Sequence, residues 1–145
     1  HWDEIGKAVQ IRNSMKIETL ILGNGDVTTL ADAHEKIATY GVDGVMIGRG
    51  VFHNPWIFNK ETSEIEKTMS EKLTLLKQHV TLHKETWGNT KNYSELKRFY
   101  KIYLNGFEGA SQARDTIMQT RSHDEALAWV SEFEKNLPIS ASSNA

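Results

Sequence analysis

The chain has 145 residues, 39% of them hydrophobic, and carries 17 Lys and Arg against 19 Asp and Glu, a formal charge of −2. That length suits one domain or two small units, and the near-balanced charge gives no global attraction to a polyanion, so any nucleic-acid surface has to be local. The absence of cysteine excludes disulfide frameworks, cysteine zinc sites and a thiol nucleophile and points to a cytoplasmic setting, while no apolar run reaches the roughly 18 residues of a membrane span.

The start, His1-Trp2-Asp3-Glu4, has neither an initiator Met nor signal-peptide character, so a natural portion upstream is expected. Trp2, Ile5 and Val9, and less regularly Ile11, give a short helical pattern ending near Asn13-Ser14. Thr19-Leu20-Ile21-Leu22 then reads as a buried strand bounded by Gly23. From Thr28 to Tyr40, Leu30, Ala33, Ile37 and Ala38 fall at helical spacing, with Thr29 and Asp32 in capping-box positions and Gly41 as the C-terminal stop. Gly44-Val45-Met46-Ile47 is a second strand, ending at Gly48. Strand, helix and strand joined by short turns make a βαβ unit, whose strands run parallel with a right-handed crossover.

After Pro55-Trp56-Ile57-Phe58 a polar stretch, Asn59 to Thr68, marks a change to helical sequence. The expected organisation is a barrel portion over 1–60, a helical portion over 61–137 and a flexible Ser/Ala-rich tail over 138–145. Ser70 to Trp87 carries Leu73, Leu76, Val80 and His83 on one stripe, and Ser94 to Leu104 carries Leu96, Phe99, Tyr100 and Tyr103. Ser111 to Thr120 is short. Ser122 to Asn136 has Ser122 and Glu125 as a capping box and turns Ala126, Leu127, Val130 and Phe133 inward. Four helices predict a small bundle, and there is no internal repeat.

Two glycine turns carry the chemistry. Gly23-Asn24-Gly25-Asp26 and Gly48-Arg49-Gly50 each follow a strand and precede a helix, 25 residues apart. Glycine at a strand end lets the backbone approach a ligand, and amides exposed at the following helix start favour an anion. Arg49 adds a bidentate donor for phosphate oxygens. Taken singly, each turn fits an ordinary loop. As a pair at matching strand ends they fit the phosphate site that closes a βα barrel. Asp26 has two open readings, a ligand hydroxyl contact or a cap for the next helix.

The runs Gly23-Asn24-Gly25-Asp26, Gly41 to Gly50 (GVDGVMIGRG) and Asn54-Pro55-Trp56-Ile57-Phe58 resemble the C-terminal barrel region of the tRNA-dihydrouridine synthases. Lys97-Arg98-Phe99-Tyr100-Lys101, Tyr103 to Ala110 (YLNGFEGA) and Arg114 resemble that family's helical RNA-binding domain. The likeness covers residues 1 to about 136. It implies an α/β plus all-α fold, the last two βα units of a TIM barrel followed by a small helical bundle. It also implies an oxidoreductase that reduces uridine in tRNA with FMN and NADPH. Asn24, Gly25, Asp26, Gly48, Arg49 and Gly50 would then contact the FMN phosphate and ribityl chain, and Lys97, Arg98, Lys101 and Arg114 the tRNA.

The family's general acid is a cysteine on an earlier strand, and this chain has none, so no catalytic residue is assigned. A full barrel runs to about 250 residues, so roughly six strands would precede this portion and the chain alone is expected to be inactive. Two parallel strands by themselves expose edges, which predicts poor order or self-association of the barrel portion through those edges.

Between Lys67 and Lys101 eight basic residues face three acidic ones, a local balance of +5. Such a stretch, with Trp87 and Tyr93 near it, suits either tRNA contact or a solvated helical face. His79 and His83, four apart, lack the carboxylate of a metal motif and read as packing or surface residues. Phe99, Tyr100, Tyr103 and Phe107 read as bundle core, and Glu108 as part of a turn. Two other functions stay open: a stand-alone RNA-binding helical module, and another phosphate-binding βα-barrel enzyme acting on a small metabolite.

Overall fold

A computed structural model of the chain describes residues 1–137, and the expected flexible tail lies outside them. The chain divides into two compact units, residues 1–65 and the residues from Glu66 onward.

In the first unit, α1 (Trp2–Met15) is followed by β1 (Leu22–Asn24), α2 (Leu30–Tyr40), β2 (Gly44–Met46) and the single turn α3 (Gly50–His53). The two strands pair in parallel, Leu22 with Gly44, Gly23 with Val45 and Asn24 with Met46. Local sequence sets the helix ends. Thr29 caps α2 by accepting the Asp32 N–H at 3.0 Å, and Gly41, at φ 68°, donates its N–H back to Ile37. Val9, Val27, Ala33, Val42 and Ile57 are the buried apolar side chains of this unit.

The strand expected over Thr19–Leu22 is displaced: pairing begins only at Leu22, and Leu20 and Leu22 are 72% and 62% exposed rather than buried. The reason is that one partner strand is all that β1 has among the described residues, so no second layer covers those leucines. Residues 19–21 are held by side chains instead. The Asp43 carboxylate accepts the Ile21 N–H at 2.8 Å and pairs with Arg12, whose guanidinium also donates to the Thr19 carbonyl. Asp43 thus ties α1, the approach to β1 and the approach to β2 at one point.

The second unit holds α4 (Met69–Trp87), α5 (Ser94–Lys97), α6 (Tyr100–Tyr103), α7 (Ala110–Met118) and α8 (His123–Lys135). Thr68 and Glu71 form a complete capping box on α4, the Thr68 hydroxyl accepting the Glu71 N–H and the Glu71 carboxylate accepting the Thr68 N–H. On α8 the box is shifted. Ser122 accepts the Glu125 N–H, but the Glu125 carboxylate accepts from Arg121. The helix expected over Ser94–Leu104 is two short helices instead. Its backbone bonds include close i to i+3 steps, Phe99 to Leu96 and Ile102 to Phe99. Leu96, Tyr100, Tyr103 and Leu104 are all buried across this break, the stripe i, i+4, i+7 and i+8 that the sequence shows.

Leu73, Leu76, Val80, Leu96, Tyr100, Leu104, Ile117, Ala126 and Val130 form the core of this unit, with Phe99, Phe107, Trp129 and Phe133 packed against it. The Trp129 and Phe133 rings stack with centroids 4.9 Å apart. A chain of hydroxyls crosses it: Tyr100 to Tyr93 at 2.6 Å, Tyr93 to Thr120 at 2.5 Å, and Thr120 donating to the Ile117 carbonyl. Burial and the Tyr93 hydroxyl push the Tyr100 phenol well above its ordinary value.

Leu76→Ala, which empties a fully buried position, is expected to cost about 2–5 kcal/mol in urea unfolding followed on the helical signal. Asp43 gives a pH prediction. The Ile21 N–H, and then Arg12, hold its carboxyl below the ordinary 3.8. A depressed folded value means the stabilisation is complete above 3.8 and is lost as pH falls through the lower folded value. Asp43→Asn should therefore weaken amide protection of residues 19–24 at pH 7, with the difference from the native chain closing below pH 3.8.

Candidate functional site

Because β1 and β2 run parallel and in register, both glycine turns leave the sheet at the same end. They line one cleft of about 530 Å³ containing all six expected positions, Asn24, Gly25, Asp26, Gly48, Arg49 and Gly50, together with Thr28 and His53. The glycines do different work. Gly25 lies at φ 137°, a conformation L side chains rarely adopt. Gly50 is buried, and a Cβ there would meet the Val27 carbonyl at 2.6 Å, so its lack of a side chain lets the second turn seat against the first. Nothing lies within 4 Å of a Cβ built on Gly48, which faces open space.

No acceptor among the described residues takes the backbone N–H of Asp26, Gly48, Arg49 or Gly50. Across the cleft the Arg49 guanidinium donates to the Asp26 carboxylate at 2.6 Å, and both side chains are more than four-fifths exposed. Asp26 does not cap α2; Thr29 has that position. One Arg49 nitrogen is engaged and the side chain is largely exposed, so the two turns present unpaired amides and a cation to one cleft. That arrangement can hold a phosphate group.

Sequence reasoning missed two residues here. His53, at the end of α3, lines the cleft, and no motif flags it. Trp2 donates its indole N–H to the Gly25 carbonyl at 3.0 Å, a contact spanning 23 positions that helical periodicity cannot reveal.

In the helical unit the four expected RNA contacts separate into two pairs. Lys97 donates to the Met118 carbonyl at 2.7 Å, and Arg114 donates to the Leu104 carbonyl at 2.7 Å from a half-buried position. Arg98 is exposed, its guanidinium 4.7 Å from the Phe99 ring centre, and Lys101 is exposed. Acids later in the chain offset part of the local charge: Lys77 pairs with Glu134 at 2.5 Å and Lys84 with Asp124 at 2.6 Å. Trp87 is partly exposed with the Lys91 ammonium 3.5 Å from its ring centre. Tyr93 is half-buried in the hydroxyl chain.

His79 and His83 turn to different partners. His79 meets the Tyr103 hydroxyl at 2.8 Å; burial, and then His83, lower the imidazole, while burial pushes the Tyr103 hydroxyl up to about 12. His83 meets the His123 ring nitrogen at 2.9 Å, and burial, His83 and Lys84 lower His123. Glu108 is exposed in the turn between α6 and α7.

A family model described as dihydrouridine synthase (Dus) matches residues 1–140. Over 136 residues the chain is 41% identical to "Probable tRNA-dihydrouridine synthase 2" of Bacillus subtilis (strain 168), covering 93% of this chain and 41% of that protein. It is 41% identical over 138 residues to "Probable tRNA-dihydrouridine synthase" of Staphylococcus aureus (strain Mu50), covering 94% and 42%. The protein of the same name from Staphylococcus epidermidis (strain RP62A) is 38% identical over 138 residues, with 94% and 42% covered. The chain spans about two fifths of the length of these curated relatives.

The contrast between the basic residues is testable as stability. Arg114→Ala leaves the Leu104 carbonyl without its charged donor and is expected to cost about 1–3 kcal/mol in urea unfolding. Arg98→Ala and Lys101→Ala, on exposed side chains, should stay within about 0.5 kcal/mol of the native chain.

Proposed function

The chain belongs to the dihydrouridine synthase family, and from that premise we propose that it is the C-terminal part of an FMN-dependent tRNA-dihydrouridine synthase. Its first unit supplies the last two βα units of the barrel and the phosphate end of the flavin site; its helical unit contacts tRNA. The observation that carries the flavin assignment is the convergence of both glycine turns, with the unpaired amides of Asp26, Gly48, Arg49 and Gly50 and the Arg49 side chain, on one cleft. A second observation supports the barrel assignment. Ile11 and Met15 on α1, Leu20 before β1, and Leu22 and Met46 on the strands are all exposed, apolar side chains that neighbouring strands and helices of a barrel would cover.

The residues present fit the phosphate of FMN. The Asp26 amide from one turn and the Gly48 and Arg49 amides from the other would donate to its oxygens, Arg49 would balance its charge, and the open side of Gly48 leaves room for the approach. Asn24 and Asp26 would meet ribityl hydroxyls. When bound, FMN supplies the two-electron chemistry, drawing on NADPH and reducing the uridine base. The contribution of this chain's own residues is to fix the phosphate end so that the ring is held at a set depth. The proton donor to uridine lies outside this chain, which contains no cysteine. On the helical unit, Arg98 and Lys101 are the residues we assign to tRNA phosphates, with Lys97 and Arg114 supporting the surface from below.

The test has two arms. By fluorescence titration the chain should bind FMN more tightly than riboflavin, and Arg49→Gln should remove most of that preference. By filter binding, Arg98→Ala with Lys101→Ala should weaken tRNA binding and reduce the slope of log K against log salt by about 2. Equal affinity for FMN and riboflavin would defeat the flavin assignment, and an unchanged salt slope the tRNA assignment.

A further inference from the structure

We infer that Trp2 is the positioning residue of the first glycine turn: its indole holds the Gly25 carbonyl and so aims the Asp26 amide at the phosphate received by the cleft. The inference rests on the phosphate reading above and goes beyond it by assigning the turn's geometry to a residue of the N-terminal helix.

Trp2 is fixed from several sides. Its indole N–H donates to the Gly25 carbonyl at 3.0 Å. Its ring lies so close over Gly23 that any side chain at that position would run into it. The ring also stacks on Tyr40, at the end of α2, with centroids 5.6 Å apart and planes 30° apart, and the Lys36 ammonium sits 5.8 Å from its centre. An aromatic held by both flanking helices is a rigid prop.

The turn needs such a prop. Gly25 at φ 137° and Asp26 at φ 50° are consecutive left-handed residues just past the last paired residue of β1, Asn24. Asp adopts this region at a cost, though more readily than most residues. The peptide between them is planar and trans, so its C=O and N–H point in opposite directions. Holding the Gly25 oxygen on the indole therefore turns the Asp26 N–H to the side away from Trp2. That N–H has no acceptor among the described residues, and Gly25 and Asp26 line the cleft while Trp2 does not. With the prop in place the amide is oriented before the phosphate arrives; without it, binding has to order the turn.

Trp2→Phe keeps an aromatic ring on the same side chain and removes the N–H together with the outer part of the indole that lies over Gly23. Loss of one such bond predicts about three- to tenfold weaker binding of FMN and of inorganic phosphate, with riboflavin affinity unchanged. In the native chain the Trp2 indole N–H resonance, assigned through bonds, should move during a phosphate titration with the same midpoint as binding. That measurement needs no variant, so it decides the matter even if Trp2→Phe folds poorly. A ring that serves packing alone leaves the indole resonance unmoved and FMN affinity intact in Trp2→Phe, and that result would overturn the inference while native FMN binding upheld the phosphate site. A native chain that binds neither FMN nor phosphate would overturn both.

Discussion

Three parallel residue pairs, Leu22 with Gly44 through Asn24 with Met46, set the geometry on which the candidate site depends. Parallel pairing obliges both strands to end on the same side, and the register makes them end level. The two glycine turns then arise next to each other although 25 residues separate them in sequence. An antiparallel pair would have sent them to opposite ends, and a slipped register would have opened the gap that Gly50 closes against Val27. So short a ladder contributes little by itself. The surrounding contacts keep it in place: Asp43 gathers Arg12 and Ile21 at the entry to the strands, and Trp2 holds the first turn at their exit.

At the mouth of the cleft the Asp26–Arg49 pair joins the two turns. Its side chains stand in solvent, where an ion pair is worth little to stability, so its importance is orientation. It keeps the guanidinium over the space that the unpaired amides border. A charged donor and several backbone donors around one cleft suit a dianionic group better than a neutral hydroxyl.

The helical unit spends much of its positive charge on its own structure. Lys97 and Arg114 close off carbonyls at Met118 and Leu104, and Lys77 and Lys84 meet acids on α8. What stands clear is a smaller set, Arg98 and Lys101 with the Trp87–Lys91 pair. A +5 count over Lys67–Lys101 therefore overstates the field at the surface, because charges balance in space and the acids that do so lie outside that window. Beneath this surface the Tyr100–Tyr93–Thr120 hydroxyl chain satisfies the polar groups that the aromatic core brings inside.

Local features were legible in the sequence because they rest on near neighbours. Thr29 and Gly41 bound α2 through bonds three and four residues long, Thr68 and Ser122 start their helices in the same way, and the stripe Leu73, Leu76, Val80 is a period any helix obeys. The glycine turns and the family were readable for a similar reason, since contiguous runs carry both. The tertiary structure alone decided what depends on distant partners. It exposed Leu20 and Leu22, because burial of a strand requires a covering layer that the sequence of the strand does not contain. It broke the helix over Ser94–Leu104 at Arg98 and Phe99, where i to i+3 bonds take over from the α-helical ladder. It gave Asp26 to Arg49, a partner 23 residues away. And it brought Trp2 to the Gly25 carbonyl, a bond between a helix start and a turn that no local pattern encodes.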